Sequence, residues 1–221
     1  MVALPGVTWR EAVRADVAAC DASRSAGTSR SSRPSAATWF CARSVPQEAV
    51  LVRLQPTASI REKRWPAEHF AETARALLLE NAHRCLILMG SPGERALCET
   101  VRVRCGAPDR AVNVAGDLPL SDLPALLERI GWLLANDTGV AHIAYATGTP
   151  SLTLFWRSLP QISGPLTGLD RHQVLSKDEL CRACEAGRCV YPACANAITV
   201  AEVLAMARAG LEAAIPAGER R

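Results

Sequence analysis

From residue 49 onward, short and almost wholly apolar runs alternate with longer segments whose apolar positions recur every three or four residues. That is the pattern of βαβ units around a parallel sheet. AVLVRL (49–54), RCLILMG (84–90), AVNVA (111–115), WLLAN (132–136), SLTLFW (151–156) and HQVLS (172–176) predict six strands, most of them apolar throughout, as strands covered on both faces are. Between them the spacing predicts helices over 66–82, with Pro66 in its first turn, and over 94–104, 121–130 and 138–147. A last helix over 200–214 opens with a capping box, Thr199 and Glu202. The expected fold is α/β: one Rossmann-like open parallel sheet with helices on both faces, over 49–215.

Residues 1–48 follow another pattern. Trp9, Val13 and Val17 fall at helical spacing, so 8–20 predicts one short amphipathic helix. Residues 21–46 are crowded with Ser, Ala and Arg and show no period, as expected of a disordered linker. No repeat of 20–50 residues is visible.

Composition narrows the class. The chain has 221 residues, 49% hydrophobic and 21% charged, enough for one core without a disulfide or a metal. A net charge of +3 is too mild for a nucleic-acid surface. No apolar run reaches the ~18 residues of a spanning helix, and the N-terminus lacks a signal-peptide pattern, so the expected compartment is the cytoplasm. Nine cysteines, an odd number, argue against a fully paired disulfide framework.

The most informative stretch is 132–155. A strand ends at Asn136, a polar turn Asp137-Thr138-Gly139 follows, and a small-residue helix runs to Gly148 with Pro150 beyond. In an open parallel sheet, ligands sit beyond the carboxyl ends of strands, and a helix N-terminus there offers N–H groups to an anion such as diphosphate. Gly139 lets backbone approach oxygen closely, Thr138 adds a hydroxyl, and His142 lies on the same helical face. The alternative reading makes Asp137 a helix cap, Gly139 a packing glycine and His142 a satisfied histidine. Neither G-x-G-x-x-G after a strand nor G-x-x-x-x-G-K-[ST] is present, which disfavours nicotinamide and ATPase readings.

Asp137, Thr138, Gly139, His142, Ala144, Ala146, Gly148, Pro150, Leu154 and Phe155 together resemble the D-[ST]-G-x-x-H-x-A-x-A-x-G-x-P-x-x-x-L-F-G segment of glycosyltransferase family 9, the ADP-heptose:lipopolysaccharide heptosyltransferases. Trp156 stands where that pattern has its final Gly and is expected to skirt the donor. Lys63, Trp65 and Pro66 resemble the family's K-x-W-P signature, whose Lys contacts phosphate. Gly90 with Glu94, and Ala115-Gly116 with Leu120-Ser121-Asp122-Leu123, resemble two further segments whose expected roles are turn and cap. The resemblance runs over about 50–212.

It implies the C-terminal, nucleotide-binding half of a GT-B enzyme of lipopolysaccharide biosynthesis. The donor is then a nucleoside-diphosphate sugar of the ADP-heptose type, bound by Lys63, Arg64, Asp137, Thr138, Gly139 and His142. Transfer is inverting, to a lipopolysaccharide-core-like glycolipid supplied with an acceptor domain. No cofactor is required, no nucleic acid is a partner, and the site of action is the cytoplasm or the inner face of the cytoplasmic membrane. Residues 1–48 show no counterpart of the acceptor half, so the chain is expected to be truncated, with its general base unassigned. The alternatives are a non-catalytic nucleotide-binding module that needs a partner chain, and a cysteine-rich structural or metal-binding relic.

Cys181, Cys184, Cys189 and Cys194 form C-x2-C-x4-C-x4-C between the last strand and the last helix. Four thiolates satisfy a tetrahedral structural zinc, which is one reading; reduced thiols in a surface loop are the other. Cys85 and Cys98 read as small buried hydrophobes.

Overall fold

The computed structural model describes residues 50–128, 131–182, 189 and 191–214. The expected N-terminal helix and linker lie outside them, as does Cys184. The described residues begin with strand β1 (Val50–Gln55), a 3-10 turn (Arg61–Lys63) and helix α1 (Ala67–Glu80). Strand β2 (Arg84–Leu88), α2 (Arg95–Arg104), β3 (Ala111–Asn113), α3 (Leu123–Glu128), β4 (Trp132–Asn136), α4 (Gly139–Thr147) and β5 (Ser151–Phe155) continue the alternation. After β5 come α5 (Pro160–Ser163), β6 (His172–Ser176), α6 (Asp178–Arg182), α7 (Ala193–Asn196) and α8 (Val200–Ala214).

All neighbouring strands are parallel, in the order β3-β2-β1-β4-β5-β6. The order reverses between β1 and β4, and in such a sheet the crevice for a ligand opens beyond the strand ends at that reversal. Every crossover but one carries its chain to the neighbouring place; the connection from β3 to β4 passes over β2 and β1, and the parallel strands β1, β4 and β5 deliver three loops to one edge.

Alternate strand residues feed the two faces. Val52, Leu54, Leu86, Leu88, Trp132, Leu134, Leu152 and Leu154 form the larger core, closed by α1, α2 and α8. Leu133 and Ala135 point the other way and meet Leu127 of α3 and Ala141 and Ala144 of α4. Arg53 also faces away from the larger core. It is fully buried and donates from Nη2 to the Leu126 carbonyl at 2.8 Å; burial lowers its pKa well below the usual value.

The six strands fall where the apolar runs place them; β2, β3 and β5 stop one or two residues early, β4 and β6 keep their expected bounds, and β1 is shifted on by one residue. β3 stops at Asn113 because the chain turns through Gly116 at φ +80°, where a Cβ would lie 2.7 Å from the Pro92 Cα. Of the helix read over 121–130, Leu123–Glu128 is α-helical behind a 3-10 turn at 120–122, and 129–130 lie outside the described residues. α5, α6 and α7 were not expected; they hold four, five and four residues, too few for a helical period to register. Ser91 and Glu94 form a capping box before α2, and Thr199 and Glu202 form the one expected before α8. No described helix is long and apolar enough to cross a membrane.

Candidate functional site

The site is built where β1, β4 and β5 end. Asn136, the last residue of β4, is fully buried; its Oδ1 accepts from the Trp65 N–H at 3.1 Å and its Nδ2 donates to the Thr57 carbonyl at 3.3 Å. This amide ties the loop after β1 to the end of β4. Trp65 is itself buried, with its indole N–H on the Ile198 carbonyl at 3.0 Å and its ring edge-on to Phe70 at 5.1 Å. It is therefore the staple at a helix start that its place before Pro66 suggests.

With the loop so held, Lys63 reaches across the strand reversal. Its Nζ lies 2.5 Å from Asp137 Oδ2, with 24% of the Lys63 side chain and 6% of the Asp137 side chain exposed. A second donor reaches the same oxygen: the Ser158 hydroxyl, from the loop after β5. The Asp137 carboxylate is thus a meeting point of three strand-end loops, and the helix-cap reading of Asp137 is replaced by this ion pair. The N-cap of α4 is Thr138, and its side chain does not cap the helix. Thr138 Oγ1 is buried and has no hydrogen-bond partner among the described residues. A hydroxyl left so, beside the first N–H groups of a helix, is a donor awaiting an acceptor.

Gly139 begins α4 in the open: no atom lies within 4 Å of where a Cβ would stand. Packing does not explain the glycine. His142 is half exposed, with Nε2 3.9 Å from Asp137 Oδ1 and its ring edge-on to Tyr145 at 5.7 Å. Five of the six residues read as donor contacts, Lys63, Asp137, Thr138, Gly139 and His142, therefore share one crevice. Arg64 is directed elsewhere: its Nε donates to the Ala58 carbonyl at 2.7 Å and its Nη2 lies 3.5 Å from Glu94.

Trp156 does not skirt the crevice. It is 2% exposed and donates its indole N–H to the Glu62 carbonyl at 2.7 Å, next to Lys63 in sequence. Sequence reasoning missed Ser158 and Asn136. The available signal was position: both are polar and sit at or just beyond strand ends on the ligand-bearing edge.

Burial first, then the neighbouring thiols of Cys181 and Cys189, push the Cys194 thiol above its ordinary value. Among the described residues no group of three His, Cys, Asp or Glu side chains is placed to hold a metal ion, and Cys184 lies outside them.

The sequence profile described as Glycosyltransferase family 9 (heptosyltransferase) matches residues 13–194. The chain belongs to glycosyltransferase family 9. The match starts well upstream of residue 50, where the resemblance was read to begin, and takes in residues outside those described.

Among relatives of this family 9 chain, the lipopolysaccharide core heptosyltransferase OpsX of Haemophilus influenzae is 32% identical over 117 residues, 53% of this chain and 33% of that protein. Lipooligosaccharide heptosyltransferase 2 of the same organism is 31% identical over 107 residues, 48% of this chain and 30% of that one. Of solved structures, the E. coli ADP-heptose lipopolysaccharide heptosyltransferase II superposes with a TM-score of 0.64 at 23% identity, over 79% of this chain and 50% of that one. The matched region thus spans about a third of these curated relatives and half of the solved chain. The six-stranded α/β fold is the one shared with these GT-B glycosyltransferases.

Proposed function

We propose that the crevice at the β1/β4 reversal binds the diphosphate of a nucleoside-diphosphate sugar of the ADP-heptose type, the donor for heptosyl transfer to a lipopolysaccharide-core acceptor. The observation that carries this is the Thr138 hydroxyl at the N-terminus of α4, buried and without a hydrogen-bond partner among the described residues, next in sequence to the Asp137 carboxylate that holds the Lys63 ammonium. The names of the heptosyltransferase relatives support the sugar, and family membership supports the reaction class.

In this reading an acceptor hydroxyl attacks the anomeric carbon, the bond from that carbon to the phosphate oxygen breaks, and the nucleoside diphosphate leaves with the bonding pair. The chain's part is to stabilise charge growing on the leaving oxygens. Lys63 has three N–H donors and spends one on Asp137, so two remain for phosphate. Thr138 Oγ1 and the first N–H groups of α4 add fixed donors that need no reorganisation, each of a kind worth about 3–4 kcal/mol in transition-state stabilisation. Gly139 leaves the approach clear. His142, half exposed at the rim, contacts phosphate or orients the donor. No residue of the chain is assigned as the base that takes the acceptor's proton.

Thermal unfolding with ADP tests the reading. Ligand at 100 times its dissociation constant adds about 2.7 kcal/mol to stability, a clear rise in Tm. Thr138→Ala and Lys63→Ala, each compared with its own ligand-free melt, should reduce the rise. No shift at millimolar ADP or ADP-heptose defeats the proposal.

A further inference from the structure

We propose that Trp156 and Ser158, on the loop leaving β5, are positioning residues that hold the Lys63 turn where it can grip a diphosphate; this rests on the site reading above. The turn at Arg61–Lys63 has no buried residue of its own and is closed, among the described residues, by Lys63 N on the Ile60 carbonyl at 3.0 Å and Arg64 N on the Arg61 carbonyl at 2.9 Å. One turn of 3-10 helix without an apolar anchor does not fix its own place. Its place is set by tethers from outside.

The β5 loop supplies two of them, on either side of the same lysine. Trp156 holds the backbone: its indole N–H meets the Glu62 carbonyl at 2.7 Å from a fully packed ring, a rigid donor that cannot follow the turn if the turn moves. Ser158 acts on the other end of the side chain. Its hydroxyl donates to the Asp137 oxygen that also receives Lys63 Nζ, so it fixes the carboxylate that fixes the ammonium. Tyr191 adds a third tether from elsewhere, its hydroxyl on the Arg64 carbonyl at 3.0 Å.

Ser158 and Trp156 need not touch the ligand. They reduce the number of places Lys63 can occupy before the ligand arrives, which raises affinity by preorganisation.

Titration of the full chain with inorganic pyrophosphate, and in parallel with ADP, tests this. Ser158→Ala and Trp156→Phe each remove one donor and should weaken pyrophosphate about three- to tenfold, the span of one net hydrogen bond. Ser158→Thr, which keeps the hydroxyl, should restore it. In a Lys63→Met background neither change should matter further, since both act through Lys63; a merely structural loss would add in full. Without ligand, amide hydrogen exchange over 57–65 should quicken in both variants while 200–214 stays as in the parent chain. Parental pyrophosphate affinity in Ser158→Ala, full additivity with Lys63→Met, or unchanged exchange over 57–65 overturns the proposal. A parent chain that binds neither pyrophosphate nor ADP overturns the site reading, and this inference with it; a parent that binds beside indifferent variants overturns only the inference. Should Trp156→Phe fail to fold, Ser158→Ala decides alone.

Discussion

The Trp65 amide and the Asn136 side chain meet at 3.1 Å, so the segment that carries Lys63 is fastened to the very residue that precedes Asp137. Asn136→Ala removes that acceptor and the donor to the Thr57 carbonyl together, leaving two buried backbone groups unpaired. The expected cost is about 2–3 kcal/mol, read as a lower urea midpoint, with ADP affinity falling in parallel. A midpoint equal to that of the parent chain contradicts the fastening.

Two glycine-to-alanine changes should separate ligand approach from packing. At Gly139 a Cβ meets nothing, so Gly139→Ala is expected to leave stability unchanged or raise it by up to about 1 kcal/mol. The methyl group stands at the mouth of the α4 N-terminus, and ADP binding should weaken at least tenfold. At Gly210 of α8 a Cβ would lie 2.5 Å from both Gln173 Oε1 and Trp132 Nε1, deep against the sheet. Gly210→Ala should cost about 1–3 kcal/mol and leave the affinity of the folded fraction as it was. Melting curves with and without ADP give both numbers.

Acid should weaken the chain through His172. Its ring is buried, with Nδ1 3.0 Å from Ser151 Oγ and its edge toward Tyr145 at 5.1 Å. Burial foremost, then Arg171, lowers its pKa, with Asp170 acting in the opposite sense. The unfolded chain, near 6.5, takes up the proton first. Stability is therefore intact above that pH, falls as pH drops below it, and stops falling on this account once the folded ring is protonated too. His172→Gln should flatten this limb between pH 7.5 and 5.5 in a series of melts at constant ionic strength.

Thiol alkylation should be ordered. Cys189 is exposed, whereas Cys98 is fully buried and pushed up to about 12, by burial first and then by Glu94. Thiolate is the reactive form, so under native conditions Cys189 should label with iodoacetamide well before Cys98, by peptide mass. Early labelling of Cys98 would mean that the α2 layer opens readily.

Much of this was visible in the order of residues. Apolar runs marked the strands, most of them solidly because both faces of the sheet are covered, and Thr199 with Glu202 marked the start of α8 because a capping box is local. The crevice was legible as far as it depends on strand ends: Lys63 and Asp137 are 74 residues apart, yet a parallel sheet must bring both to one edge. What stayed hidden depends on which way side chains turn. Arg64 adjoins Lys63 but turns to Ala58 and Glu94, and Trp156, read as a loop residue beside the donor, is packed beneath the turn. Ser158 is marked in the sequence only by its place just beyond a strand end; the third dimension sets its hydroxyl on Asp137.

On the face opposite the larger core lie α3, with six described residues, and α4. A short helix such as α3 is marginal by itself and draws its stability from packing. Arg53, reaching up from β1 to the Leu126 carbonyl, sets a positive charge at the negative end of that helix and so serves as its anchor bolt. The back of the sheet is therefore pinned by a cation from the same strand whose loop leads to Lys63, and loosening one side of β1 is felt on the other.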